Sequence, residues 1–214
     1  MMGLVGEQWP RAAAEGPGVG LRERKKAKTR AAIQQEALRL FRERGYEATT
    51  MEQIAEAAEV SQSTVFRYFP TKDELVVSDE QDAFFLQAWR AQPADLPVLS
   101  ALRRAIQETL TSLSPGEFRA QRDRDVLMVT VPGLWAASLG NINQTTQMIT
   151  SLVAERSGRV ESAPSVRALS AAIFGVILSA MIRWAGDPDY DVARDLDQML
   201  AHLDGDLRAG SVPD

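Results

Sequence analysis

The sequence predicts an all-α chain of about nine helices, with a compact three-helix unit at the front and a larger helical body behind it. Three observations predict it. Apolar residues recur at spacings of three and four, as on one face of a helix. Sustained alternation, the mark of a half-buried strand, is missing. Proline and glycine clusters punctuate the periodic stretches at regular intervals.

Residues 1–20 are rich in Gly, Ala and Pro and lack periodicity, which reads as a disordered arm. The G-x-G spacing in EGPGVG follows no apolar strand, so it reads as flexible tail rather than phosphate loop. The first helix is expected from about Glu23 to Arg44, with Ile33, Ala37, Leu40 and Phe41 on one face and Gly45 as its stop. Its start carries Arg22, Arg24, Lys25, Lys26, Lys28 and Arg30. This run is either a solvated helix start or a grip on a polyanion.

The second helix should begin at Thr49 or Thr50, because Thr50 and Gln53 have capping-box spacing. Ile54, Ala55 and Ala58 form its short apolar face, and Glu59-Val60 is a tight break. Ser61 then caps a third helix, Gln62 to Phe69, which Pro70 cannot continue. Thr71 and Glu74 suggest a further capping box, opening a helix over 71–90. Later helices read as about 98–113, 116–130, 133–157, 164–185 and 191–204.

Composition narrows the chemistry. The chain has 214 residues, 45% of them hydrophobic and 25% charged, with no cysteine and a single histidine, His202. Disulfides, thiol nucleophiles and cysteine metal sites are therefore ruled out, and a serine triad would have to use the one histidine near the C-terminal end. No Glu-x-x-His pair supports a di-iron site. An all-α enzyme is disfavoured, and no cofactor or metal is expected. No apolar run of 18 residues is seen and the start lacks a secretory core, so a cytoplasmic protein without membrane contact is expected. Asp123 and Asp125, beside Arg122 and Arg124, read as a surface charge cluster, and His202 as a surface residue.

The net charge is −5, but it is unevenly spread. Residues 21–72 carry 11 Lys/Arg against 7 Asp/Glu, and the remainder is acidic. Such a chain docks on a polyanion through its basic end. Two short helices joined by a three- to four-residue break have the size of a helix-turn-helix. The third helix shows Gln62, Ser63, Thr64, Arg67 and Tyr68 outward, with Val65 and Phe69 inward. Glutamine can pair with adenine, and Ser, Thr or Arg can meet base edges or phosphates. A helix N-terminus such as that at Ser61 itself attracts phosphate.

Residues 29–75 resemble the N-terminal domain of TetR-type regulators. The matching residues are Ala37, Leu40-Phe41, Gly45-Tyr46, Thr49-Thr50, Ile54-Ala55, Ala58, Val60-Ser61, Thr64, Tyr68-Phe69, Lys72 and Leu75. The resemblance implies a helix-turn-helix DNA-binding domain over 21–70 and a ligand-binding and dimerisation domain over 71–208. It implies that Gln62, Ser63, Thr64 and Arg67 face the major groove. Thr50, Tyr68 and Lys72 would hold phosphates, with Phe66 at a phosphate-facing position. Glu59 stands where a glycine is usual, Phe66 where a tyrosine is common, and Ser63 where Gly, Ala or Pro is usual.

One such unit reads few base pairs, so a homodimer on a pseudo-palindromic operator is expected. The last two helices are similar to the pairing helices of the family. Leu169, Ala172, Ile173, Val176, Ile177, Ala180, Met181 and Trp184 repeat in the first, with Gly175 among the small residues. Val192, Leu196, Met199, Leu200 and Leu203 repeat in the second. Some of these faces would be core and some interface.

Phe84, Phe85, Trp89, Phe118, Met128, Trp135, Met148, Phe174 and Met181 could together line an effector cavity, with Asn141 and Thr145 supplying polar contacts. The polar middle of 133–157 is either exposed or ligand-facing. The C-terminal part resembles the domain of TetR regulators that bind acyl-CoA-like ligands, such as the mycofactocin-system regulator. The expected function is a repressor released from its operator by a small apolar or amphipathic effector. The alternative is a ligand-independent dimeric DNA-binding protein.

Overall fold

The computed structural model describes residues 20–77, 81–187 and 189–209, and these form eleven helices with no β-strand among them. The helices are α1 (Leu21–Arg44), α2 (Met51–Ala57), α3 (Gln62–Tyr68), α4 (Glu74–Val77), α5 (Gln81–Ala91), α6 (Val98–Ser112), α7 (Pro115–Thr130), α8 (Pro132–Ala137), α9 (Leu139–Ser157), α10 (Pro164–Gly186) and α11 (Val192–Ala209). All but Gly20 of the arm expected over 1–20 lies outside the described residues.

The expected count of nine becomes eleven because two expected helices are each described as two. The stretch 71–90 holds α4 and α5, and residues 78–80 between them lie outside the described residues. The stretch 133–157 divides at Ser138, where ψ relaxes to −10° and the hydroxyl donates to the Trp135 carbonyl at 2.7 Å. Ser138 is neither proline nor glycine, and the local mark of the break is Gly140, two residues on.

The head is built around Ile33, Ala37, Leu40 and Phe41 of α1, which are buried with Ile54 of α2, Val65 of α3 and Phe69. Leu75 and Val76 of α4 close this core, and Leu134 of α8 joins it from the body. Each fully buried side chain of this size contributes roughly 1.5–3 kcal/mol. The body has a main core around Trp89, Leu102, Val153, Ile173 and Leu200, and a smaller one around Ala180, Trp184, Val192 and Leu196.

Helix α7 touches both halves, packing on α1 and α4 on one side and on α10 on the other. This corrects the expected surface cluster at 122–125. Arg124 and Asp125 are each only 8% exposed, because head and body close over them. Asp123 pairs with Arg42 of α1 at 2.7 Å, and the Arg122 guanidinium donates to the Trp184 carbonyl at 3.2 Å. Among the described residues, no buried side-chain N or O atom lacks a partner.

Helix α10 contains a long apolar window with mean hydropathy 1.9, of which only 22% is buried within the chain. Its two arginines at 167 and 183 interrupt the run, so a strict count of consecutive apolar residues missed it. By length and composition alone it would suffice to cross a membrane.

Candidate nucleic-acid interface and body cavities

Local sequence sets the geometry of α2 and α3. The Thr50 hydroxyl accepts from the Gln53 amide N–H at 3.3 Å, and the Gln53 side chain accepts from the Thr50 N–H at 3.0 Å, a complete capping box. Helix α2 ends in a Schellman motif: the Val60 N–H donates to the Ala55 carbonyl at 3.0 Å and the Glu59 N–H to the Glu56 carbonyl at 3.1 Å. That motif requires a left-handed residue, and Glu59 supplies it at φ 53°. Ser61 then caps α3, its oxygen accepting from the Thr64 N–H at 3.2 Å.

Helix α3 has two faces. Val65 and the following Phe69 are fully buried. Gln62, Ser63, Phe66 and Arg67 are exposed, Phe66 by 43%, while Thr64 and Tyr68 are half-buried. Three hydroxyls cluster at its start, with Ser61 Oγ 3.0 Å from Ser63 Oγ and 2.8 Å from Thr64 Oγ1. The Arg67 guanidinium lies 5.3 Å from the Tyr68 ring centroid. The face therefore combines donors, acceptors and a cation over an aromatic ring.

Lys72 is half-buried. Its ammonium donates to the carbonyls of Tyr46 and Thr49 at 2.9 and 3.3 Å, and it sits 4.2 Å over the Tyr46 ring. It thus clamps the α1–α2 turn to the start of α4. The Tyr46 hydroxyl donates to Asp73, and burial followed by that bond pushes the phenol well above its ordinary range. Arg30 anchors the far end of α3: its guanidinium donates to the Tyr68 carbonyl at 2.9 Å and stacks 4.3 Å from the Phe69 ring centroid.

The body holds two neighbouring cavities. The first, about 270 Å³, is lined largely by apolar groups including Phe85, Trp89, Leu102, Ile106, Trp184 and Leu196. The second, about 580 Å³, is more polar and reaches the head, with Arg30, Val76, Arg124, Asp125 and Trp135 in its wall. Gln121, Asp125, Thr145, Met148, Ile177 and Met181 line both.

Of the residues expected to line a cavity, Phe85 and Trp89 line the first, Met128, Trp135 and Phe174 the second, and Thr145, Met148 and Met181 both. Two do not line either. Phe84 is 60% exposed, because neighbours on a helix point about 100° apart and α5 turns Phe85 and Trp89 inward. Phe118 instead stacks on Trp184, ring centroids 4.8 Å apart, in the smaller core. The Asn141 side chain lies outside the described residues. Sequence reasoning missed Arg30, Gln121, Arg124 and Asp125. Their charge or polarity read as surface, and only long-range packing brings them inward. His202 is exposed, as expected.

Comparison with known proteins agrees with this geometry. Residues 33–78 match the family described as bacterial regulatory proteins, tetR family. Residues 96–208 match the MftR C-terminal domain of TetR regulators. The HTH-type transcriptional regulator TcmR of Streptomyces glaucescens is 36% identical over 148 residues, covering 66% of this chain and 66% of its own, just under two thirds. NalD of Pseudomonas aeruginosa, the secondary repressor of the MexAB-OprM multidrug efflux pump, superposes with a TM-score of 0.59 at 25% identity, over 84% of this chain and 96% of its own. FadR of Thermus thermophilus, a TetR-family repressor in complex with lauroyl-CoA, has a TM-score of 0.54 at 22% identity, over 86% of this chain and 96% of its own. These matched families are transcriptional regulators, not enzymes. The chain belongs to the TetR family of bacterial transcriptional regulators.

Proposed function

We propose that this regulator is a homodimeric repressor that reads a pseudo-palindromic operator through α3 and releases it when a small apolar or amphipathic effector enters the body. The head comprises residues 21–70 and the effector-binding and dimerisation body 71–208. The observation that carries the reading is the split of α3, with Val65 and Phe69 locked in the core while Gln62, Ser63 and Arg67 stand exposed. Gln62, Ser63, Thr64 and Arg67 read bases. Thr50, Ser61, Phe66 and Tyr68 lie along the backbone, and Lys72 acts there mainly by shaping the turn that presents them.

The dimer forms through α10 and α11. The row Ala168, Ala171, Gly175, Ser179 and Ile182 is exposed along α10 at spacings of three and four. Small side chains there let a partner helix approach closely, and a second copy covers the apolar surface instead of lipid. Two copies then place their α3 helices about 34 Å apart, one turn of DNA.

The body cavities support effector binding, as does the lauroyl-CoA complex of the Thermus relative. A coupling of about 1–3 kcal/mol would weaken operator binding roughly 5- to 150-fold. The test is an operator gel shift on DNA selected from a random pool, repeated with Gln62→Ala and Arg67→Ala. Each substitution should cost about 1–3 kcal/mol and relax specificity at one position. Unchanged selection and affinity in both variants would remove α3 from the interface.

A further inference from the structure

The positive charge of the head is concentrated in one place. Residues 22–30 carry six Lys/Arg against one acid, Glu23. Residues 31–72 carry five Lys/Arg against six Asp/Glu, so the three-helix unit without the start of α1 is slightly acidic. Two of those five cations are already engaged: Arg39 pairs with Glu36 and Glu43, and Arg42 with Asp123, each at 2.7 Å. By contrast, Arg22, Lys25, Lys26 and Lys28 are exposed, and their side chains have no ion-pair or hydrogen-bond partner among the described residues. A polyanion is therefore drawn to the head by the start of α1 more than by α2 and α3.

These cations are ordered around the helix. At about 100° per residue, Arg22, Lys26 and Thr29 fall in line with Ile33, Ala37 and Leu40, and Lys25 lies about 60° to one side of Arg22. Ile33, Ala37 and Leu40 are buried in the core that also holds Ile54 of α2 and Val65 of α3. The core-facing line of α1 thus turns cationic where the core ends, and its cations overhang the side of α1 on which α2 and α3 lie. Arg30 fixes the place of this overhang: its guanidinium donates to the carbonyl of Tyr68, the last residue of α3, at 2.9 Å. With a rise of about 1.5 Å per residue, Lys26 and Arg22 stand about 6 and 12 Å along α1 beyond that anchor. Lys28 lies about 160° around the axis from Lys26.

We propose that Arg22, Lys25 and Lys26 form a second contact with operator DNA, gripping phosphates of the duplex beside the groove that α3 enters. This rests on the reading of α3 as the base-reading helix and extends the interface to a different element. The argument uses the charge of the side chains and their continuity with α3, not the end of the helix. The row adds affinity without base choice, because phosphates carry the same charge at every base pair. It also accounts for how a chain of net charge −5 holds a polyanion.

The test measures operator affinity of the full chain by gel shift over a range of salt, on DNA selected from a random pool. With Arg22→Gln, Lys25→Gln and Lys26→Gln combined, the plot of log affinity against log salt should become shallower by about 2–3, about one for each lost phosphate contact. Affinity at about 0.1 M salt should fall at least about tenfold. The selected bases and the melting profile should stay the same, since these side chains hold no other part of the described structure. Lys26→Gln alone should lower the slope by about 1, and Lys28→Gln alone by much less. An unchanged slope in the triple variant overturns the proposal. So does an equal change in the two single variants, which would make the attraction diffuse rather than a contact face. A different set of selected bases in the triple variant overturns it as well, because the row would then read sequence. A wild-type chain that selects no DNA would instead sink the repressor reading itself. If Gln62→Ala and Arg67→Ala lose selection while the triple variant matches wild type, that reading stands and only this one falls.

Discussion

Glu59 offers a sharp test of how α2 is joined to α3. It is the one residue other than glycine with positive φ among the described residues, at 53°. A Cβ in the left-handed region costs roughly 1–2 kcal/mol. The same Schellman motif ends α9, where Arg159 N–H donates to the Ala154 carbonyl, but there Gly158 occupies the left-handed position at φ 65°. Replacing Glu59 by glycine should remove the strain. Against it stands the greater chain entropy that glycine loses on folding, about 0.5–1 kcal/mol. The net expectation is a gain of about 0.5–1 kcal/mol. For a chain of this size that raises the melting temperature by roughly 1–4 °C. Thermal unfolding followed by far-ultraviolet circular dichroism measures it. Glu59→Ala is the control, because it removes the carboxylate but keeps the Cβ. Should alanine stabilise as much as glycine, or glycine lower the midpoint, left-handed strain is not what limits this turn.

Three other outcomes follow from the geometry. Lys72→Met removes two charge-assisted bonds to the carbonyls of Tyr46 and Thr49, so it should cost about 1–3 kcal/mol in chemical denaturation, whatever it does to DNA affinity. Asp123→Asn breaks a pair whose arginine side is 53% exposed, so it should cost under about 1 kcal/mol, and raised salt should shrink the difference from wild type. For Tyr190, burial first and then its hydrogen bond to Asp195 push the phenol up to about 12, from an ordinary value of 10.0. The folded state thus holds this proton more tightly than the unfolded one. Its contribution is complete below pH 10 and is lost as pH rises through about 12. Stability curves of wild type and Tyr190→Phe should converge across that window, and parallel curves would contradict the assignment.

The head was almost wholly legible in the sequence, because its signals are local. The Thr50–Gln53 box, the Ser61 cap and the inward pair Val65 and Phe69 are each fixed within four residues. The Thr71 hydroxyl likewise accepts from the Glu74 N–H, as its spacing suggested. Ser114–Glu117 forms an equally complete box, again from residues three apart in sequence. The cavity walls were harder. Leu102, Ile106 and Leu110 of α6, like Leu196 of α11, sit at ordinary core spacing, and unfilled volume leaves no local pattern. Arg124 and Asp125 were misjudged for a different reason. A run of alternating arginine and aspartate looks solvated, and only the packing of α7 between α4 and α10 reveals that it is not.

The Arg156 side chain of α9 has a mechanical consequence for α5. Its guanidinium donates to the carbonyls of Pro93, Leu96, Trp89 and Gln92 at 2.7 to 3.4 Å and lies 4.6 Å over the Trp89 ring. The C-terminal end of α5 is thereby riveted to α9. Any rigid tilt of α5 has its fulcrum there, and displacement grows along the helix toward Gln81. At 1.5 Å per residue over eleven residues, a swing of about 10° moves the Gln81 end by roughly 3 Å. A small change at the wall of the first cavity is therefore magnified at the end of α5 that faces the head in sequence, while the anchored end stays still.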